Sequence, residues 1–169
     1  MENNMKNSKF HQLFITELKD IYWAENELVG ALGNMERAAT SEGLSTAFKK
    51  HRAQTQEHVN RLRNVFLLLD EKAEGKICEA MNGLVKEAKE IISDTDADSM
   101  VRDAALIIAA QKVEHYEIAA YGSLATLARI MDHIEVEQIL ETTLLEEKIA
   151  DADLTDLAES YINEQASGE

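Results

Sequence analysis

Gln111–Gly122, QKVEHYEIAAYG, is the stretch whose reading decides the fold. ALIIAA stands just before it and LATLA just beyond, so it occupies the most apolar helical tract of the chain. Leu106, Ala110, Val113, Glu117, Ala120 and Leu124 recur at helical spacing, which puts Glu117 on the stripe that faces a core. Glu114, one turn earlier, lies at the edge of that stripe. His115 is turned about 100° away from Glu114 and faces outward. A helix that aims carboxylates into its own apolar seam must neutralise them, pair them or bind a metal with them.

The same pattern recurs on either side. Ser8 caps a helix expected to reach about Ala39, with a seam of Phe10, Phe14, Leu18, Ile21, Glu25, Leu28, Leu32 and Met35. Glu25 stands where a leucine is expected. SEGL, from Ser41 to Leu44, ends this helix and begins the next, whose seam reads Leu44, Phe48, His51, Thr55, His58, Leu62, Val65 and Leu69, bordered by Gln54. Asp70–Lys76 reads as a link, Ile77–Ser93 as a short amphipathic helix and Ser93–Ser99 as a loop. The third long helix follows and ends near Ile130. Asp132 is the expected cap of a fourth, which runs to about Ile162 through Val136, Leu140, Leu144, Glu147, Asp151, Leu154, Leu157 and Tyr161. Met1–Asn7 and the tail 166–169 are expected to be disordered, leaving one domain over 8–165 with a crossover at 70–98. Four long helices with short turns after the first and third, and a long connection between, describe an all-α, ferritin-like four-helix bundle.

Composition narrows the function. The chain has 169 residues, no proline and a formal charge of −15. The absence of proline allows long uninterrupted helices, and the acidity argues against nucleic acid and anionic membrane as partners. Cys78 is the single cysteine and is expected to be a small buried hydrophobe of the crossover. No apolar run approaches a membrane span. MENNMKNSKF has neither an apolar core nor a cleavage site of a signal peptide, so a cytoplasmic protein is expected.

Depth along the helices tests whether the polar seam positions meet. Glu25 lies about 15 residues back from the first turn, while Gln54 and His58 lie about 14 and 18 residues forward, so Glu25 faces the interval between them. His51 is set ~7 Å nearer the turn. About the second turn, Glu114 and Glu117 lie about 17 and 14 residues back, and Glu147 and Asp151 about 15 and 19 residues forward. Carboxylates at one depth in a pseudo-twofold bundle are the arrangement that carries di-iron or di-manganese centres. Oxygen and imidazole donors suit both metals.

YWAENEL, FKKHRAQTQEHVNRL, CEAMNGLVKEA, AAQKVEHYEIAAYGSLATLA and LEEKIADADLTDLA resemble the YciF/YciE family of bacterial stress proteins, within the ferritin-like superfamily. The resemblance runs from Phe10 to Ala158. It implies a homodimer with a two-metal site drawn from Glu25, Gln54, Glu114, Glu117 and Glu147, with His51, His58 and Asp151 as further candidates. The superfamily's Glu-x-x-His pairs on the second and fourth helices are absent, and Gln54 offers a neutral amide in place of a carboxylate. Two functions follow. One is a di-iron or di-manganese protein, with oxidase or peroxide-consuming activity in stress protection. The other is a metal-free dimeric scaffold whose seam carboxylates are protonated or paired. Of Tyr22, Tyr116 and Tyr121, one is expected to hold a carboxylate from behind.

Overall fold

The architecture follows from where the caps fall. The structure, a computed structural model, describes residues 8–169; the Met1–Asn7 segment expected to be disordered lies outside them. Its main helices are α1 (Lys9–Ala38), α2 (Glu42–Leu68), α3 (Glu79–Asp94), α4 (Met100–Ile130) and α5 (Ile134–Leu157), and the described residues include no strand. Ser8, Ser41 and Ser99 each accept the amide three residues on, from His11, Leu44 and Arg102, and so start α1, α2 and α4. Cys78 is buried, as its composition suggested, and it also caps α3, its Sγ accepting from the Met81 amide at 3.3 Å.

Four local expectations are corrected. Asp132 does not cap the last long helix; its φ of 58° places it in the left-handed region that ends α4, and His133 takes the cap position. Phe10 is 38% exposed and His11 is buried in its stead, because the seam enters α1 one residue later. The last helix also does not run evenly to Ile162. After Leu157 it widens into a π turn over Ala158–Ile162 before Asn163–Ala166, and the additional residue in that turn leaves Ile162 fully buried. The tail is drawn in rather than loose: the Glu169 carboxylate accepts the Met100 and Val101 amides at 2.8 and 3.2 Å.

α1 packs on α2 and α4, and α5 packs on α4 and α2, so the four long helices close a ring around one apolar core. Thr40 and Ser41, past the end of α1, meet Asp103 near the start of α4. At the other end Phe14 of α1 stacks on His133, past the end of α4, with ring centroids 6.4 Å apart. α1 and α4 are therefore antiparallel, which makes α2 and α4 parallel. The connection between them must travel back along the bundle, and α3 does so lying against α1 and α4. The approach is tight at Gly75, where a Cβ would come within 3.0 Å of the Trp23 Cβ, and the Lys76 amide donates to the Lys19 carbonyl at 3.0 Å.

Asp103 ties the ends of three elements together. It is wholly buried, and its two oxygens accept the Thr40 and Ser41 amides at 2.6 and 2.7 Å, at the N-terminus of α2. Asp103→Ala is expected to lower the unfolding free energy by about 2–3 kcal/mol, since two buried donors lose a charged acceptor. Urea unfolding at neutral pH checks this; a loss below about 0.5 kcal/mol would reduce the contact to a surface-like cap.

Candidate metal centre

Each long helix sends charge or imidazole into the centre of the ring. α1 supplies Glu25 and α2 supplies His51 and His58, two turns apart on its buried stripe. α4 supplies Glu114 and Glu117, and α5 supplies Glu147. Five of the six are at most 1% exposed, and His51 is 8% exposed. The placement follows from helical spacing, because each of these residues replaces an apolar one in a seam the bundle must bury.

The six form two sets that share one member. Donor atoms of His51, Glu114, Glu117 and Glu147 all lie within 4.8 Å of one another, and those of Glu25, His58 and Glu147 do likewise. His51 Nε2 is 3.1 Å from Glu114 Oε1 and 3.8 Å from Glu147 Oε2. His58 Nδ1 is 2.9 Å from Glu147 Oε1 and 3.3 Å from Glu25 Oε1. These approaches lack hydrogen-bond alignment. Eight buried side-chain nitrogen and oxygen atoms of the described residues have no hydrogen-bond partner, and all eight belong to these six residues. The other buried side-chain nitrogen and oxygen atoms of the described residues obey the rule that buried polar atoms are paired. The exceptions converge on one place, with the donor chemistry of a divalent-cation site.

Both histidines and Glu25 are held from outside the centre. His58 Nε2 meets Glu146 Oε2 at 2.8 Å, and Arg61 grips both Glu146 oxygens, at 2.6 and 2.9 Å. With Nε2 committed outward, Nδ1 is the atom that faces Glu25 and Glu147, the arrangement expected of a metal-binding imidazole. His51 is turned the other way round: Nδ1 is 3.3 Å from Gln54 Oε1, and Nε2 points inward. The buried Tyr121 hydroxyl donates to Glu25 Oε1, so Tyr121 is the tyrosine that holds a carboxylate. Tyr116 instead donates to Asp20, at 2.8 Å.

Without a cation the cluster shares protons. For His51 and His58, burial is the largest single influence and favours the neutral ring. Glu114 and Glu147 outweigh it at His51, lifting it to about 9, and Glu147 and Glu25 lift His58 to about 10. Burial lifts Glu147 to about 7, with His58 pulling against it and the charges of Glu25 and Glu114 adding to it. Burial and the charges of Glu147, Glu25 and Glu114 raise Glu117 well above the usual carboxylate range. Glu146 stays below that range, because Arg61 and His58 together overcome its partial burial.

Against the spacing argument, Glu25, Glu114, Glu117 and Glu147 come together, and so do both histidines. Gln54 is half-buried, and its oxygen faces the outer nitrogen of His51 at 3.3 Å. Asp151 turns away, accepting from Gln111 at 3.2 Å and lying 3.3 Å from His115, which faces solvent as expected. Spacing fixes the side of a helix, but not which of two neighbours reaches inward. His51 sits nearer the α1–α2 turn than Glu25, as the count of residues along the helices implies. His51 and His58 are separated by ~10 Å along α2, and the two sets occupy two levels. Glu146 and Arg61 escaped the sequence reading altogether. Their only signal is the His-x-x-Arg spacing of His58 and Arg61, which puts both on one face of α2.

An all-helical bundle with a buried glutamate–histidine cluster at its centre is thus the class defined by fold and site. The chain belongs to the family described as domain of unknown function (DUF892), which matches residues 9–167, and so the YciF-type resemblance holds. It is 45% identical to Protein YciF of Escherichia coli (strain K12) over 96% of this chain and 97% of that one. The crystal structure of the E. coli stress protein YciF superposes with a TM-score of 0.88 at 44% identity, over 92% of this chain and 98% of that one. A protein of Rhodopseudomonas palustris, described as a putative structural protein, gives 0.84 at 39% identity, over 88% and 94%.

The proton sharing has a measurable sign. The folded histidines, at about 9 and about 10, titrate above their ordinary 6.5. The stability they contribute is complete below that value and is lost as pH rises through the folded values. Glu147 and Glu117, raised from 4.5, act in the same direction at lower pH. Chelator-stripped protein is therefore expected to show a Tm that falls between about pH 5 and about pH 9. A Tm rising across that range contradicts the assignment.

Proposed function

We propose that the chain is a ferritin-like protein that holds two divalent cations, iron or manganese, at mid-bundle and serves in bacterial stress protection. The observation that carries this reading is the set of eight unpartnered buried atoms confined to six residues and meeting in Glu147. One cation would be held by His51, Glu114, Glu117 and Glu147, the other by Glu25, His58 and Glu147. The parallel course of α2 and α4, with its returning connection, supports the ferritin-like assignment. Bound iron or manganese supplies redox chemistry toward oxygen or peroxide. The chain's own part is positioning: Arg61 and Glu146 orient His58, Gln54 orients His51, and Tyr121 holds one oxygen of Glu25 while leaving the other free. The apolar seams around them exclude water, which strengthens every charge interaction within.

A soluble homodimer in the cytoplasm completes the proposal. The described residues contain no helix long and apolar enough to cross a membrane, and the charge of −15 disfavours nucleic acid. Ile130 and Ile134, both exposed about the α4–α5 turn, support packing against a second copy. The second reading, a metal-free dimeric scaffold, has its own support in the imidazole–carboxylate approaches of 2.9 and 3.1 Å. Those contacts let the cluster persist on protons alone.

Metal analysis after reconstitution of untagged protein with Mn(II) separates the two. About two equivalents per chain are expected for the wild type, about one for His58→Ala, and none for Glu147→Ala, which removes the shared ligand, all with the helical CD spectrum retained. Equal metal content in the wild type and Glu147→Ala would leave the scaffold reading standing.

A further inference from the structure

The two ligand sets differ in their access to the surface. A pocket of about 360 Å³ lies between α2 and α5. Its floor includes His51, Gln54 and Glu114, and its walls include Ala47 of α2 and Ala150 of α5. His51 Nε2 and Glu114 Oε2 are buried and unpartnered, and both residues line this pocket. Glu25 and His58 are wholly buried and are not among its lining residues. One set thus stands at the end of a passage, and the other is sealed behind Glu147.

The mouth is built for positive charge. Asp153 and Asp156 stand on it, and Lys50 lies 3.8 Å from Asp153 with both side chains more than half exposed. An ion pair so exposed is weak and opens readily. Two carboxylates on the rim of a narrow apolar passage concentrate cations and repel anions. Beside His51 and Glu114 the floor offers Gln54, a neutral amide that interacts with an arriving cation without the full charge of a carboxylate.

We propose that this pocket is the loading route for divalent cations. It fills the His51–Glu114–Glu117–Glu147 set first and the Glu25–His58–Glu147 set second. The proposal rests on the two-cation reading above and adds to it a path and an order.

Co(II) added to chelator-stripped protein, with uptake followed by the visible absorption of the bound ion, tests it. Wild type is expected to load in two phases, with His58→Ala losing only the slower one. Ala47→Phe and Ala150→Phe fill the pocket and are expected to slow both phases at least about tenfold, with the final stoichiometry unchanged, because loading must then await local opening. Ala119→Phe, on the exposed face of α4, is the control and keeps the wild-type rate. Should the phenylalanine variants fold poorly, Asp153→Asn with Asp156→Asn supplies the second test. Uptake slows about threefold at low ionic strength, and the difference disappears near 0.5 M salt, where rim charges are screened. Wild-type rates in both pocket variants, or in the rim variant at low salt, overturn the route. If His58→Ala loses the faster phase instead, the order is overturned. A wild type that takes up no Co(II) overturns the two-cation reading itself, and the route with it.

Discussion

The structure depends on a balance of charge in a place that excludes water. Four glutamates and two histidines occupy seam positions that a bundle of this length would ordinarily fill with leucine. Removing one carboxylate from water costs several kcal/mol if nothing replaces its hydration. Here each of the four long helices contributes at least one of the six, so they cannot slide or rotate past one another without stranding a charge. Protons on the histidines and on Glu117 meet that demand in one state, and cations would meet it in another. The outer contacts serve the same balance. Arg61 keeps Glu146 ionised, Glu146 orients His58, and the Tyr121 hydroxyl satisfies one oxygen of Glu25.

Much of this was legible in the sequence, for reasons that differ from residue to residue. The all-helical course was readable because nothing interrupts the seams and the serine caps fall where the seams begin. Glu25, Glu117 and Glu147 stood out because each breaks an apolar row. Glu114 and the two histidines were harder to weigh, since a residue at the border of a row can turn either way and only the neighbouring helix decides. Gln54 and Asp151 show the converse. Gln54 borders its seam and Asp151 lies in its own, both at a suitable depth, yet the Gln54 oxygen turns to the outer nitrogen of His51 and Asp151 turns to Gln111 and His115.

What the sequence could not carry were contacts between distant segments. Asp103 looks like an ordinary acid in the first turn of a helix; its role appears only when the α1–α2 turn arrives beside it. Glu146 reads as a surface neighbour of Glu147 until α2 brings Arg61 against it. Asp132 was misplaced for a local reason. An aspartate before a helix suits a cap and also suits a left-handed turn, and the need to close α4 on the Ala128 carbonyl through the His133 amide selected the second.

The antiparallel pairing of α1 with α2, and of α4 with α5, carries a consequence for how the chain reaches its native state. Each pair is a hairpin whose contacts lie close in sequence, the kind that forms early and quickly. The contacts that join the pairs span far longer separations: Glu25 to Tyr121, His58 to Glu146, Thr40 to Asp103. Loop-closure entropy delays these until both hairpins exist. The polar centre is therefore assembled in the docking of two preformed halves, and neither half contains a complete ligand set. Completing the centre and completing the fold are one event.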